Sequence, residues 1–141
     1  MEKVYKKYEK IRIAAKKLAK KYSRMLASDL DISAICFCKV EGSGRSRFLA
    51  RCYRVVEPYY TIMDEKYTFV ILYNADKMKL MMDIAKLSKK GRTDYIKAIT
   101  LHELMHIGEE GRLVKHDIED FSILLRRFGI DWVHGKLEGD V

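Results

Sequence analysis

The chain has 141 residues and contains no glutamine, one asparagine (Asn74), one proline (Pro58) and one tryptophan (Trp132). Scarce amides beside plentiful Lys and Glu are a tendency of heat-adapted chains, although seven methionines and three cysteines run against it. No apolar run approaches the length of a signal core or a membrane span, so a spanning helix is excluded. Three cysteines are an odd count and make no disulfide framework. Together with an opening at Met1-Glu2-Lys3 that leads straight into a Lys-rich stretch, these absences predict a soluble, cytoplasmic protein with reduced thiols and no membrane partner. No internal repeat or low-complexity tract is present.

What remains is enough for one domain that buries most of its unfolded surface without help from disulfides or a structural metal. Negative charge is short by eight, and the deficit is local. Residues 1–24 hold ten Lys/Arg against Glu2 and Glu9, which accounts for the whole net charge of +8. In that stretch Val4, Tyr8, Ile11, Ala15, Leu18, Tyr22 and Met25 recur at spacings of four and three, predicting an amphipathic helix over 1–27 with a basic outer face that includes Lys6, Lys10, Lys17 and Lys20. The usual meaning of such a face is solubility. Contact with nucleic acid or an acidic protein is the lesser expectation, because aromatics are not interleaved on the basic side.

Residues 32–40 and 47–56 are rich in β-formers and flank Glu41-Gly42-Ser43-Gly44, which predicts a hairpin, with Pro58 ending the second strand. Residues 67–73 make a third strand, apolar enough to be covered on both faces. The small sheet over 32–73 is expected to be antiparallel at least in part. Asn74 and Asp76 cap a helix over about 76–89 that Lys89-Lys90-Gly91 closes, and a further helix spans about 93–107 from a Thr93-Asp94 cap to Gly108. After the polar loop Glu109-Glu110-Gly111-Arg112, a last helix runs over 116–128 to Gly129. The fold class is therefore α+β. Cys36 and Cys38 share one sheet face with Cys52 expected nearby, and the ordinary use of such thiols is as small apolar residues rather than as a second metal site.

The informative stretch is His102-Glu103-Leu104-Met105-His106. Residues four apart on a helix share a face, so two imidazoles present nitrogens to one point, and Glu103 beside the first can reach a water held there. Two nitrogen ligands, an open coordination position and a carboxylate to take a proton are the working parts of an HExxH zinc site with one ion. Tyr95, Ile96, Ile99, Leu101, Leu104 and Met105 supply the apolar backing.

A catalytic zinc has three protein ligands. His116, with nine residues between it and His106, is the leading candidate, and Asp120 one turn later is placed to hold its other ring nitrogen. Glu109, Glu110, Asp117 and Glu119 are carboxylate substitutes. A donor for the oxyanion is also needed; Tyr59, Tyr60, Tyr95 and His134 are the candidates, and spacing singles out none.

The runs Leu101-His-Glu-Leu-Met-His-Ile107, Leu113-Val-Lys-His-Asp-Ile-Glu-Asp-Phe121 and Phe128-Gly-Ile-Asp-Trp132 resemble the phage metallopeptidase family, small zincin-like domains. More distantly, size and layout are similar to SprT-like and ImmA-like proteases. The resemblance implies a zinc peptidase with His102, His106 and His116 as ligands, Glu103 as catalytic acid/base and a peptide or protein substrate, laid beside an exposed edge strand for which 67–73 is the expectation. Glu109 and Arg112 stand where a metzincin has Gly and a ligand, so that class is excluded; a gluzincin would use a Glu on a following helix, which only Glu119 approximates. The rival readings are a binding module whose zinc is structural and whose Lys-rich helix docks nucleic acid or an acidic protein, and a hydrolase of non-peptide amides.

Overall fold

The computed structural model describes residues 2–42 and 48–114, and the backbone of 130–131 and 136–137. It is an α+β structure in the order β1 (Val4–Lys7), α1 (Lys10–Lys21), β2 (Ile35–Glu41), β3 (Ala50–Arg54), α2 (Tyr59–Ile62), β4 (Phe69–Asn74), α3 (Ala75–Ile84), α4 (Lys89–Met105), β5 (Ile130–Asp131) and β6 (Lys136–Leu137). Strands β5 and β6 form a two-stranded antiparallel ribbon. No described helix is long and apolar enough to cross a membrane.

The first four strands form one mixed sheet in the order β1-β2-β4-β3. β1 runs antiparallel to β2, β2 parallel to β4, and β3 antiparallel to β4. Four strands thus replace the expected three, and three expectations fall. The helix over 1–27 is a strand followed by a shorter helix, because Val4 and Tyr5 satisfy the free edge of β2, and long-range pairing overrides a local period that Val4 joined by coincidence. The hairpin across Glu41–Gly44 does not form: β2 and β3 do not pair, since β4, the most apolar strand, is inserted between them. For the same reason 67–73 is no edge. β4 has neighbours on both sides, and among the described residues the sheet's edges are β1 and β3.

Lateral register also separates the cysteines. Phe37, Ile71 and Cys52 are partners across β2, β4 and β3, whereas Cys36 aligns with Val70 and Cys38 with Leu72. Side chains alternate along a strand, so Cys52 lies on the face opposite Cys36 and Cys38. The latter two have their sulfurs 3.3 Å apart. The three thiols cannot share an ion, among the described residues.

The core lies on the Cys52 face, where Ile35, Phe37, Phe69, Ile71 and Tyr73 meet α1 and α4. α1 contributes Ile11, Ala15 and Leu18 at the i, i+4, i+7 positions of its buried stripe. Arg12 fixes the start of that helix against the sheet: its guanidinium donates to the carbonyls of Ile32 (2.7 Å) and Ile35 (2.8 Å) and pairs with Glu9 (2.9 Å). Asn74 caps α3 through its side-chain oxygen, which accepts from the Lys77 amide at 3.1 Å.

α3 stops at Ile84 rather than at Lys89. The residues expected to close it instead open α4, whose cap is Ser88, its hydroxyl accepting from the Gly91 amide at 3.1 Å. α4 is therefore a turn longer than the Thr93-Asp94 cap implied. Its second half is buried almost all round, with Ala98, Ile99, Thr100, Leu101, Glu103 and Leu104 all inside. A helix gripped so closely holds whatever polar groups it carries in a fixed frame.

Candidate metal centre

His102, Glu103 and His106 stand at the C-terminal end of α4, with one ligand atom of each lying within 4.8 Å of the others. The two imidazole Nε2 atoms are 3.2 Å apart and their rings are nearly perpendicular, at 88°. Nitrogens held about 2.0–2.1 Å from a tetrahedral zinc stand about 3.3 Å from one another. The spacing fits one ion between them, and the donor set of two neutral imidazoles beside a carboxylate fits a transition metal of borderline softness.

The tautomer of His106 is set by the chain that returns to it. After α4 the backbone turns through Glu109–Gly111 and comes back, with Ile107 bridged to Leu113 and the Val114 amide donating to the His106 carbonyl at 2.6 Å. The Val114 carbonyl then accepts from His106 Nδ1. With Nδ1 carrying the proton, Nε2 offers its lone pair toward His102, the arrangement that orients histidines at metals. Gly108 makes the return possible: a Cβ there would lie 2.6 Å from a Val114 methyl and 3.3 Å from the Arg112 carbonyl. The turn is tied down from outside, where Ser28 donates its amide and hydroxyl to the Glu109 carboxylate and the Glu110 amide donates to Asp29.

Glu103 is 4% exposed. Burial pushes its carboxyl up to about 8, since few dipoles replace the water that would solvate its charge. Its nearest oxygen is 3.8 Å from His102 Nε2, too far for a hydrogen bond but close enough for both to face one small ion or its water. A cation there would draw the carboxyl back toward its ionised form. Cys52 lies within the electrostatic reach of Glu103, and its thiol is pushed up to about 12, by burial first and by that carboxylate second. Such a thiol stays protonated and inert as a ligand.

Of the carboxylates considered as substitute ligands, Glu109 is engaged by Ser28 and Glu110 is exposed on the turn, and neither joins the metal group. His116, Asp117, Glu119, Asp120 and His134 lie outside the described residues. Tyr95 is in the core, two turns before His102, its hydroxyl pushed up to about 12 by burial. Tyr59 and Tyr60 are exposed on α2. Tyr60 also lines a cavity of about 610 Å³ that reaches Ile107 and Gly108, the residues that follow the second histidine, and is lined as well by Arg54 at the end of β3 and by Val55 and Val56 after it. Of the basic residues, Lys6 belongs to β1 and is paired with Glu41 at 2.8 Å, Lys20 is exposed on α1, and Lys10 and Lys17 line a groove between α1 and α4.

The Val114 carbonyl and the close approach at Gly108 are the site features that residue spacing did not reveal. Gly108 carried the signal, since a glycine two residues beyond a ligand is where a chain would double back, but it served equally well as a helix stop. No curated protein and no solved structure matches this chain. A family model does, and over almost its entire length: residues 3–139 match the putative phage metallopeptidase model, and the chain belongs to that family.

Proposed function

We propose that the chain is a zinc-dependent peptidase, a single zincin-like domain in which His102, His106 and His116 hold one zinc ion and Glu103 is the general acid/base. The observation that carries this reading is the 3.2 Å Nε2 pair with a buried carboxylate one residue from the first histidine. Support for His116 is chain length. Val114 is bonded to His106, and two further residues span about 7 Å at most, so a ligand at position 116 is within the chain's reach of the pair. Asp120 would orient it.

Bound there, zinc supplies a Lewis acid and a water acidified to near neutrality. The residues do the rest. His106 is held in register by Val114, and Glu103, ionised beside the cation and made more basic by burial, would take a proton from the attacking water and deliver it to the leaving amine. β3 is the better strand for an extended substrate than the 67–73 segment, because it is an edge and α4 packs against it. Its free main-chain groups would set the direction of the peptide, and the cavity beyond Gly108 would receive the residues to one side of the scissile bond, with Tyr60 at its wall.

The test is metal analysis with variants. Purified protein reconstituted with zinc should hold about one ion per chain, and His102→Ala or His106→Ala should lose it while remaining folded. Glu103→Gln should keep the ion and lose peptidase activity by about 10²-fold or more. X-ray absorption should report three protein ligands and a water, whereas four protein ligands would indicate a closed structural site. Wild-type protein that binds no transition metal after reconstitution sinks the proposal.

A further inference from the structure

A groove of about 570 Å³ lies between α1 and α4. Its rims are two rows of lysine, Lys10, Lys17 and Lys21 on α1 and Lys90 and Lys97 on α4, with Asp94 as the one acid among its walls. Lys10 and Lys17 are seven residues apart, as are Lys90 and Lys97, so each pair repeats on one helix face about 10.5 Å along its axis. None of the five is in an ion pair among the described residues. Five like charges facing one cleft repel one another and focus a positive potential into it. The rest of the lining, taken as the floor, is different in kind: Ile13, 66% exposed, with Ala14, Leu18 and Tyr22, whose ring has the Lys21 ammonium 5.4 Å from its centroid.

We propose that this groove binds single-stranded nucleic acid, its phosphates on the lysine rims and its bases against the apolar floor around Tyr22. Charge on the outside with an aromatic in the bed is the arrangement by which single strands are held without regard to sequence. An acidic peptide supplies carboxylates for both rims but no flat apolar faces for the residues between them. A nucleic acid strand instead keeps its charge and its flat apolar faces on separate sides. A duplex keeps its bases stacked inside and offers this groove only phosphates, so the apolar lining favours a single strand. In the sequence the basic face lacks aromatics, because Tyr22 falls on the apolar stripe and nothing there brings the α4 lysines beside α1. The inference is independent of the metal site.

The experiment is fluorescence anisotropy with the full chain and a labelled oligothymidylate, with far-UV circular dichroism to verify each variant's fold. Binding should weaken with salt along a log–log slope no steeper than about −3.5, the limit for five phosphates on a single strand. Lys17→Glu with Lys97→Glu should cost more than about tenfold, whereas Lys16→Glu with Lys20→Glu, an equal change of charge on α1 outside the groove, should cost less than about threefold. Lys21→Glu with Lys90→Glu replaces the first pair if that fails to fold. Tyr22→Ala should weaken binding severalfold with the salt slope unchanged. His102→Ala should bind as wild type does. The proposal is overturned if the oligonucleotide does not bind, if groove and control pairs lose equally, if duplex of the same length binds as tightly, or if polyglutamate competes as well as the oligonucleotide, which would indicate an acidic-protein surface.

Discussion

Glu103 ties the site's chemistry to the stability of the chain. Its carboxyl, ordinarily near 4.5, is raised to about 8 by burial, so between those values the folded, metal-free chain holds a proton that the unfolded chain has released. Stability therefore falls as pH rises from about 4.5 to about 8, the sign expected when the native state binds more protons. A bound cation stabilises the carboxylate, lowers the folded value and flattens the dependence. Thermal melts of chelator-treated protein should show the melting temperature declining across this window relative to Glu103→Gln, with the difference much reduced after zinc is restored. Equal pH profiles for the two metal-free proteins would show that Glu103 is not held in this way.

At the level of elements, the returning segment after α4 is the part of the site on which a conservative change should act without touching a ligand. Gly108→Ala places a methyl against Val114 and the Arg112 carbonyl, displaces the carbonyl that holds His106 Nδ1 and should lower zinc affinity by about 10–100-fold. Competition with a chromogenic chelator measures this directly, and unchanged affinity would mean that Val114 does not orient the histidine. That segment also marks the boundary of what the sequence discloses. The i, i+4 histidines, the carboxylate between them and the apolar backing are local facts, carried by one helix and its period, and each was legible before any coordinates. Strand order was not. Val4 and Tyr5 continue a helical stripe as convincingly as they form an edge strand, and Gly42 suits a hairpin turn whether or not the flanking strands pair. Only the competition among all strands for β4, decided far along the chain, separates these cases. Ser88 does not stand out as a cap in the sequence, because Lys89-Lys90-Gly91 resembles a helix ending as much as a beginning.

Over the whole molecule, the four-stranded sheet contains no tight hairpin. Its closest pairing in sequence joins Arg54 to Phe69, 15 residues apart, while β1 meets β2 across 31 residues (Lys7 to Cys38) and β2 meets β4 across 34 (Ile35 to Phe69). Each contact needs a long loop closed before it contributes anything, and the central strand is the last of the four to be synthesised. At about 5–20 residues per second, β2 and β3 leave the ribosome about 1–6 s before the strand that joins them, with their facing edges unsatisfied in the meantime, although β1 can already pair with β2. Refolding followed by stopped-flow tryptophan or tyrosine fluorescence should accordingly fall in the millisecond-to-second range typical of non-local topologies, rather than the microseconds of helical bundles. Nascent chains ending before Phe69 should be open to protease throughout, and resistance should appear only in chains long enough to include α4, whose Ala98, Ile99 and Leu104 complete the core.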